Sequence, residues 1–319
     1  MASLDPRNHM LLAQVAHLYF EDQLTQSNIA QQLDISRIKV HRLLKEARDR
    51  GIVHIAVKWP HTRDADLEAR LSEVFELREA VVVSSDGSGE TAAVSRLGLA
   101  GARILEQSLL PGQTMAVCLG RATRAVIDAV QPGGVSGINV VQAIGNRPLP
   151  DRDYDASALA GQLAEKFAGE VVFLRAPPLA DNPEAAALIA EQRDISSSLE
   201  AARSAHLALV GVGSLDLESS AMFRSGAVTA EELADARRCG AVGDLAWRLI
   251  DQRGDSVDCD LTDRVIGVSL HDLRAIPTTL AVAAGPAKVR PLRAVLRTKA
   301  IDILCTDVPT AQAVLGHSQ

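Results

Sequence analysis

The chain has few cysteines and no long apolar run, and both absences restrict what it can be. Its 319 residues include only four cysteines, none at CxxC or Cys/His metal-site spacing. We therefore expect free thiols in a reducing compartment rather than a disulfide framework. No apolar run reaches the roughly 18 residues of a membrane span, and the opening MASLDPRNHM lacks a secretion-signal pattern. These absences predict a cytoplasmic protein with no membrane partner.

Several common chemical motifs are also missing. The sequence contains no GxxxxGK[ST] phosphate loop, no GxGxxG dinucleotide fingerprint and no HExxH zinc motif. Ser214 follows Gly213 but does not sit in a GxSxG nucleophile turn. The eight histidines are scattered without ligand spacing. We expect no metal and no cofactor, and the sequence offers no catalytic residue.

What is present is the composition of a soluble globular protein with an uneven charge. Hydrophobic residues make up 47% and charged residues 23%, and the length suggests about two domains. The net charge of −7 argues against a surface that coats nucleic acid throughout. Residues 1–60 nevertheless hold eight Lys/Arg against six Asp/Glu, and the rest holds 25 against 34. Such a basic head is either a polyanion-binding module or a solvated helix face.

The first sixty residues carry three helical patterns. Thr25 is placed to cap the second helix and Ser36 the third, with Asp34-Ile35 as a short connection. Gly51 is suited to end the third helix, and a strand is expected over 52–57. Two helices joined by a short turn, the second capped by Ser and rich in Arg/Lys, describe a helix-turn-helix.

A helix-turn-helix reads DNA with the first turns of its second helix, which enters the major groove. Arg and Lys there can pair with guanine or with phosphate, and residues opening the preceding helix can touch the backbone. On this basis the predicted DNA-binding residues are Gln26, Ser27, Ser36, Arg37, Lys39, His41 and Arg42.

Beyond residue 60, short β-branched runs alternate with Ala-rich helical patterns. This alternation predicts an α/β domain with a mostly parallel sheet covered on both faces. The candidate strands are 80–84, 114–118, 138–144, 170–174, 207–212, 279–283 and 301–306. The candidate helices are 66–77, 92–107, 123–130, 156–167, 196–204, 230–238, 288–296 and 309–315.

Four of these strands run into glycine-containing turns. Ligands of parallel sheets bind at the carboxyl ends of the strands, where glycine permits close approach and a helix N-terminus favours an anion. Each turn could equally be only a turn, but several together favour a polar or phosphorylated small-molecule site. Its predicted residues are Gly120, Arg121 and Thr123 after one strand, Gly145 and Gly213 after two others, and Gly285 and Lys288 after the fourth.

Two sets of segments together resemble a known family. One is LLAQVAHLYFEDQLTQSNIAQQLDISRIKVHRLLKEARDRGIV, and the other includes LEQSLLPGQTMAVCLGRAT, ALVGVGSL, GAVGDLAWRLID, DRVIGVSLHDLRAIPTTLAVAAGPAKVRPLRAVL and IDILCTD. They are similar to the SorC/DeoR-type bacterial sugar-sensing transcriptional regulators. The resemblance implies a Rossmann-like effector domain related to sugar-phosphate isomerases and deaminases. It also implies a homo-oligomer, typically a tetramer, that binds operator DNA and responds to a sugar, polyol or sugar phosphate.

The resemblance carries over to particular positions. Gly120 and Arg121 match a family turn that lies against the effector phosphate, although Ala122 replaces the usual Thr and Thr123 follows one place later. Asp244 in GAVGD matches an acid that accepts hydrogen bonds from effector hydroxyls, and Lys288 in GPAK matches a lysine facing the effector. Two structural alternatives stay open. Asp244 could cap a helix running to Leu249, and Lys288 could lie on an exposed helix.

The sequence therefore predicts a DNA-binding transcriptional regulator that is not an enzyme. Residues 1–59 would bind operator DNA, and residues 60–319 would bind a small carbohydrate effector and form the oligomer. The alternative is a sugar-phosphate isomerase-like enzyme with a fused DNA-binding head, for which Asp244 has no evident acid/base partner. A DNA-binding architectural protein without a ligand is a further alternative.

Overall fold

A computed structural model describes residues 6–49, 52–53, 63–84, 90–118, 120–146 and 155–316 of the chain. The chain divides into two compact units, Met1–Pro60 and His61–Gln319. Within the described residues, none of the helices has the length and apolar character needed to cross a bilayer.

The first unit contains three helices, α1 (Pro6–Phe20), α2 (Gln26–Gln32) and α3 (Arg37–Asp49). The two predicted caps are present. The Thr25 hydroxyl accepts the Asn28 N–H at 3.2 Å, and the Ser36 hydroxyl accepts the Lys39 N–H at 3.2 Å. The helices close over a small apolar core of Leu12, Val15, Ala16, Leu18, Ile29, Val40, Leu43, Leu44 and Ala47. The predicted helix-turn-helix is confirmed.

The end of this unit was expected to be a strand over 52–57. Gly51 and residues 54–57 lie outside the described residues. Ile52 and Val53 form a bend, and their N–H groups both donate to the Ala47 carbonyl, at 2.9 and 3.1 Å. The strand prediction is wrong for these two residues because their backbone closes the end of α3 instead of pairing in a sheet.

The second unit alternates strands and helices, as its sequence pattern predicts. Its strands are β1 (Glu79–Val83), β2 (Thr114–Val117), β3 (Asn139–Gln142), β4 (Val171–Val172), β5 (Leu207–Gly213), β6 (Ala241–Leu245), β7 (Arg248–Asp251), β8 (Thr279–Val282) and β9 (Ile303–Asp307). Its α-helices are α4 (Ala65–Phe75), α5 (Glu90–Ser108), α6 (Arg121–Ala129), α7 (Ala156–Lys166), α8 (Pro183–Glu191), α9 (Arg193–Arg203), α10 (Ala221–Arg224), α11 (Ala230–Arg238), α12 (Asp260–Asp263), α13 (Leu270–Ala275), α14 (Val289–Arg297) and α15 (Val308–Gly316).

The main sheet is parallel, in the order β1-β9-β8-β5-β2-β3-β4. Successive strand residues point to opposite faces, so Val81 and Val83 enter one apolar core while Ala80 and Val82 enter another. The chain moves from β2 towards β3 on one side and from β5 towards β8 on the other. This change of direction makes the β2–β5 boundary the topological switch point of the sheet.

The sequence pattern missed the antiparallel hairpin of β6 and β7, which extends the sheet from β5. β6 contains Gly243 and Asp244, two residue types that are rare in strands. Its turn is built by Ala246 and Trp247 at φ values of 52° and 66°, without the glycine or asparagine that usually marks such a turn. The alternative in which Asp244 caps a helix is therefore wrong.

Arg248 on β7 ties a neighbouring loop to this hairpin. Its guanidinium donates to the carbonyls of Thr262 at 3.1 Å, Gly267 at 2.9 Å and Val268 at 3.2 Å. Burial lowers the pKa of Arg248, with nearby Asp272 and Asp263 opposing that shift. The side chain therefore replaces water for three backbone acceptors.

We expect Arg248→Met to lower the free energy of unfolding by about 3 kcal/mol, because it leaves these acceptors without their charged donor. Urea denaturation measures the change. Arg253→Met is the matched control, since the Arg253 side chain is 80% exposed and pairs with the half-buried Asp251 and the exposed Asp255. Equal stability of the two variants would contradict the structural role of Arg248.

Candidate functional site

The basic surface of the first unit is formed by α2 and α3. Ser27, Ser36, Arg37, Lys39, His41 and Arg42 are all exposed, whereas Gln26 is half-buried. The structure thus places every predicted DNA-binding residue on the same two helices and their connection. Lys45, also exposed on α3, belongs with this surface but was not predicted. Lys45 is three residues from Arg42, a spacing that places the two side chains next to each other on a helix and could have predicted its position.

α3 is held in place by its opposite side. Val40 and Ala47 are fully buried there, and Leu43 and Leu44 are almost fully buried. At its C-terminal end, the Arg48 guanidinium lies 5.7 Å from the centre of the Phe20 ring on α1. The cationic side chains nearer the start of α3 are therefore carried on a helix that is packed from Val40 to Arg48.

In the second unit, the predicted small-molecule residues converge at the switch point. β8, β5 and β2 are adjacent, so the turns that follow their carboxyl ends meet at one edge of the sheet. Gly120 and Arg121 follow β2, Gly213 is the last residue of β5, and Gly285 precedes the short 3-10 helix Pro286–Lys288 after β8.

Asp244 reaches the same edge from β6, which pairs with the end of β5 so that Asp244 lies opposite Gly213. Asp244 is 5% exposed, and its Oδ1 accepts the Trp247 N–H at 3.2 Å. A Cβ on Gly213 would lie 1.7 Å from Oδ2 of Asp244. Glycine at 213 is therefore what allows the carboxylate to occupy this position.

The buried carboxylate of Asp244 lies near the positive charge of Lys288. Burial raises the pKa of Asp244 to about 6, although the charge of Lys288 and the hydrogen bond from Trp247 oppose the rise. Burial lowers the pKa of Lys288, with Asp244 opposing that shift and Arg121 adding to it. Lys288 is therefore close enough to both Asp244 and Arg121 for their charges to act on it.

Cys118 directly follows β2 and is buried near Asp244. Burial raises its pKa to about 12, and the negative charge of Asp244 adds to the rise. The thiol is therefore protonated near neutral pH and is no nucleophile.

The start of α6 lies at this edge. Gly120 provides no side-chain cap for the helix, and Arg121, its first residue, is exposed. Thr123 is fully buried, and its hydroxyl donates to the Gly120 carbonyl at 2.8 Å. Ala122 packs against the apolar core. The first turn of α6 thus offers its N–H groups and the Arg121 guanidinium to an anion.

Two other predicted glycines shape the backbone around the site. Gly145 is buried, its N–H donates to the Ile266 carbonyl at 2.9 Å, and a Cβ there would lie 2.2 Å from the Pro177 carbonyl oxygen. Gly285 adopts φ 107°, and its N–H donates to the Thr310 hydroxyl at 2.8 Å. Both amides are already used within the protein.

A polar network that the sequence pattern missed lies beyond β3. The Asn146 side-chain amide donates to Asp155 at 3.0 Å and to the Ser157 hydroxyl at 2.9 Å. The same hydroxyl donates to the fully buried Gln142 at 3.1 Å. Among the residues that the structure describes, no group of three His, Cys, Asp or Glu side chains is arranged to hold a metal ion.

Comparisons with known proteins match both units. Residues 60–316 match the family model described as "Putative sugar-binding domain", and residues 1–50 match the model of Sigma-70, region 4. The chain is 31% identical over 316 residues to the deoxyribonucleoside regulator of Bacillus subtilis (strain 168), covering 98% of this chain and 99% of that protein. It is 30% identical over 308 residues to the sorbitol operon regulator of Klebsiella pneumoniae, covering 96% and 97% respectively.

The fold is likewise shared with a solved structure. The crystal structure of the full-length sorbitol operon regulator SorC from Klebsiella pneumoniae matches with a TM-score of 0.72 at 28% identity. The match covers 97% of this chain and 99% of that chain. The similarity therefore extends over both units.

Proposed function

Since the chain belongs to the SorC/DeoR-type family of sugar-sensing transcriptional regulators, we propose that Asp244, Lys288 and Arg121 bind its carbohydrate effector. The observation that carries the proposal is that the elements holding these residues meet at the switch point of the sheet, where Asp244 and Arg121 both act electrostatically on Lys288. A buried carboxylate accepts hydrogen bonds from sugar hydroxyls, and its burial strengthens them.

The two cationic groups favour an anionic carbohydrate, such as a sugar phosphate, over a neutral sugar or polyol. Arg121 and Lys288 supply positive charge, and the first N–H groups of α6 supply further donors. Ala122 supplies no hydroxyl at this turn. Backbone N–H groups and the Arg121 guanidinium offer hydrogen-bond donors in its place.

We propose α2 and α3 as the DNA-binding elements. Their exposed cationic and polar side chains face away from the core of the first unit. We propose that residues 1–59 contact the operator and that residues 60–319 also join copies of the chain into a homo-oligomer. Two heads are then available for two half-sites, because one helix-turn-helix spans only a short stretch of duplex. The protein would act in the cytoplasm, where the operator is accessible.

The effector then acts through linkage. A ligand that binds one arrangement of the oligomer more tightly shifts the population towards it, and operator affinity changes by the same free energy. No conversion of the ligand is needed, and we propose that the protein binds its effector without turnover. The names of the related regulators support this proposal over an isomerase.

The proposal is tested by thermal unfolding of the full chain with matched pairs of sugars and polyols and their phosphates. A ligand at about 100 times its Kd adds roughly 2.7 kcal/mol to the native state, enough to raise Tm visibly. We expect phosphorylated members to raise Tm more than their free forms. Larger shifts with the free forms would contradict the anionic preference, and a panel without any shift would contradict the effector site.

Lys288→Ala tests the site directly. We expect effector affinity to fall at least tenfold, because a half-buried ammonium that faces the ligand is lost. Affinity for operator DNA without effector should stay unchanged, as measured by fluorescence anisotropy. Arg290→Ala on the following helix is the matched control, since Arg290 is exposed. Unchanged effector affinity in Lys288→Ala would remove this residue from the site.

A further inference from the structure

The exposed face of α3 has a definite centre, which the packing of the helix determines. Val40, Leu43, Leu44 and Ala47 are buried on one side. With 3.6 residues per turn, the row directly opposite them includes Ile38, Arg42 and Lys45. Arg37 and Lys39, although close in sequence, lie on the two flanks of this row. The outermost side chain on the first turn is therefore an isoleucine.

Ile38 has no role in holding the first unit together. Its side chain is 83% exposed, and it is not among the residues that form or border the apolar core of this unit. It is also a β-branched residue on a helix surface, where straight-chain residues form helices better. Single exposed aliphatic side chains are common on protein surfaces. Ile38 differs in its position, at the centre of the exposed face of the first turn of the second helix of a helix-turn-helix.

The charged residues near Ile38 indicate which kind of molecule makes an apolar contact with it. Arg37, Lys39, His41, Arg42 and Lys45 surround Ile38 with cationic and polar groups that suit the phosphates of a duplex. When the start of a recognition helix enters the major groove, its outermost side chain meets the base edges. The 5-methyl group of thymine is the apolar group displayed there.

We infer that Ile38 contacts a thymine methyl group in each operator half-site and makes the protein select thymine at that position. The inference rests on the proposed binding of operator DNA by α3. Arg37 and Lys39, on the flanks, face the sugar–phosphate backbones and contribute affinity that depends on salt rather than on sequence. Arg42, one turn further along the central row, lies next to Ile38 on the surface that faces the bases.

The experiment removes the methyl group from the DNA instead of altering the protein alone. A duplex is first selected from a random library with the full-length chain, and each thymine is then replaced singly by deoxyuridine. Anisotropy at one fixed salt concentration measures the affinity of the parent, Ile38→Ala and Met10→Ala for every duplex. Met10 is the control because it is 73% exposed on α1 of the same unit.

We expect one thymine per half-site at which deoxyuridine weakens binding by the parent about fourfold, the cost of one lost buried methyl group. Met10→Ala should show the same loss. Ile38→Ala, which replaces an exposed side chain with a better helix former and so should fold, should bind the two duplexes equally.

The outcomes separate the inference from the proposed function. A selected operator whose thymines can all be replaced without loss would overturn the role of Ile38 alone. If Ile38→Ala still binds the deoxyuridine duplex more weakly than the thymine duplex, the role of Ile38 is also overturned. If the parent selects no duplex from the library, DNA binding by α3 fails and the inference fails with it.

Discussion

Gly213→Ala is expected to reduce effector affinity at least a hundredfold. The added Cβ would lie 1.7 Å from Oδ2 and 2.1 Å from Cγ of Asp244, so the carboxylate must leave the position that faces Lys288. Lost alignment of a charged hydrogen-bond acceptor on a buried site costs several kcal/mol of binding free energy. Calorimetric titration with the compound that raises Tm of the parent most measures the loss.

Gly211→Ala is the matched control on the same strand. A Cβ on Gly211 would meet Thr123 Cγ2 at 3.8 Å, an ordinary van der Waals contact, and no positive φ opposes the change. We expect this variant to bind effector like the parent. Similar losses at both positions would mean that any change in β5 impairs binding, and the specific role of the Gly213–Asp244 approach would be wrong.

Asp244→Asn is expected to stabilise the effector-free protein near neutral pH while removing the response to effector. A pKa near 6 in the folded state, against 3.8 for an ordinary aspartate, means that the ionised form is disfavoured by folding. The difference corresponds to about 3 kcal/mol at pH 7.5. Asparagine keeps an acceptor for the Trp247 N–H without the buried charge.

The pH dependence of this stabilisation follows from the two pKa values. Below about pH 4 the carboxyl is protonated in both states, so parent and variant should have similar stability. Between about pH 4 and 6 only the unfolded state ionises, and the parent loses stability relative to the variant. Above pH 6 the difference should stay constant. Urea denaturation at several pH values tests this, and a parent more stable than Asp244→Asn at pH 7.5 would contradict it.

Sequence reasoning succeeded where the structure depends on local residue preferences. Thr25 and Ser36 were recognised as caps because an N-terminal hydroxyl before an apolar periodic run has a direct geometric meaning. The parallel strands were recognised because both of their faces are buried, which leaves a continuous apolar run. Arg121 and Lys288 could be placed together because the turns after parallel strands meet at one edge of the sheet.

It failed where long-range pairing outweighs local preference. β6 and β7 form because the last two residues of β5 extend beyond its parallel neighbours and pair with β6. The local residue preferences of Ala241–Leu245 do not predict a strand. The environment of Asp244 therefore could not be derived from its neighbours in sequence. The tight approach of Gly145 to Pro177 is similarly invisible, because it joins two segments that are distant along the chain.

The length of β5 has a consequence for how this chain can vary. β5 pairs with β2 through Leu207–Leu209 and with β8 through Ala208–Gly211, and only its last two residues pair with β6. An insertion or deletion within 207–212 would shift Gly213 by one pleat and turn it to the opposite face of the sheet. Substitutions can therefore exchange apolar side chains along β5. An insertion or deletion in this strand would instead separate Gly213 from Asp244, the acid that it accommodates.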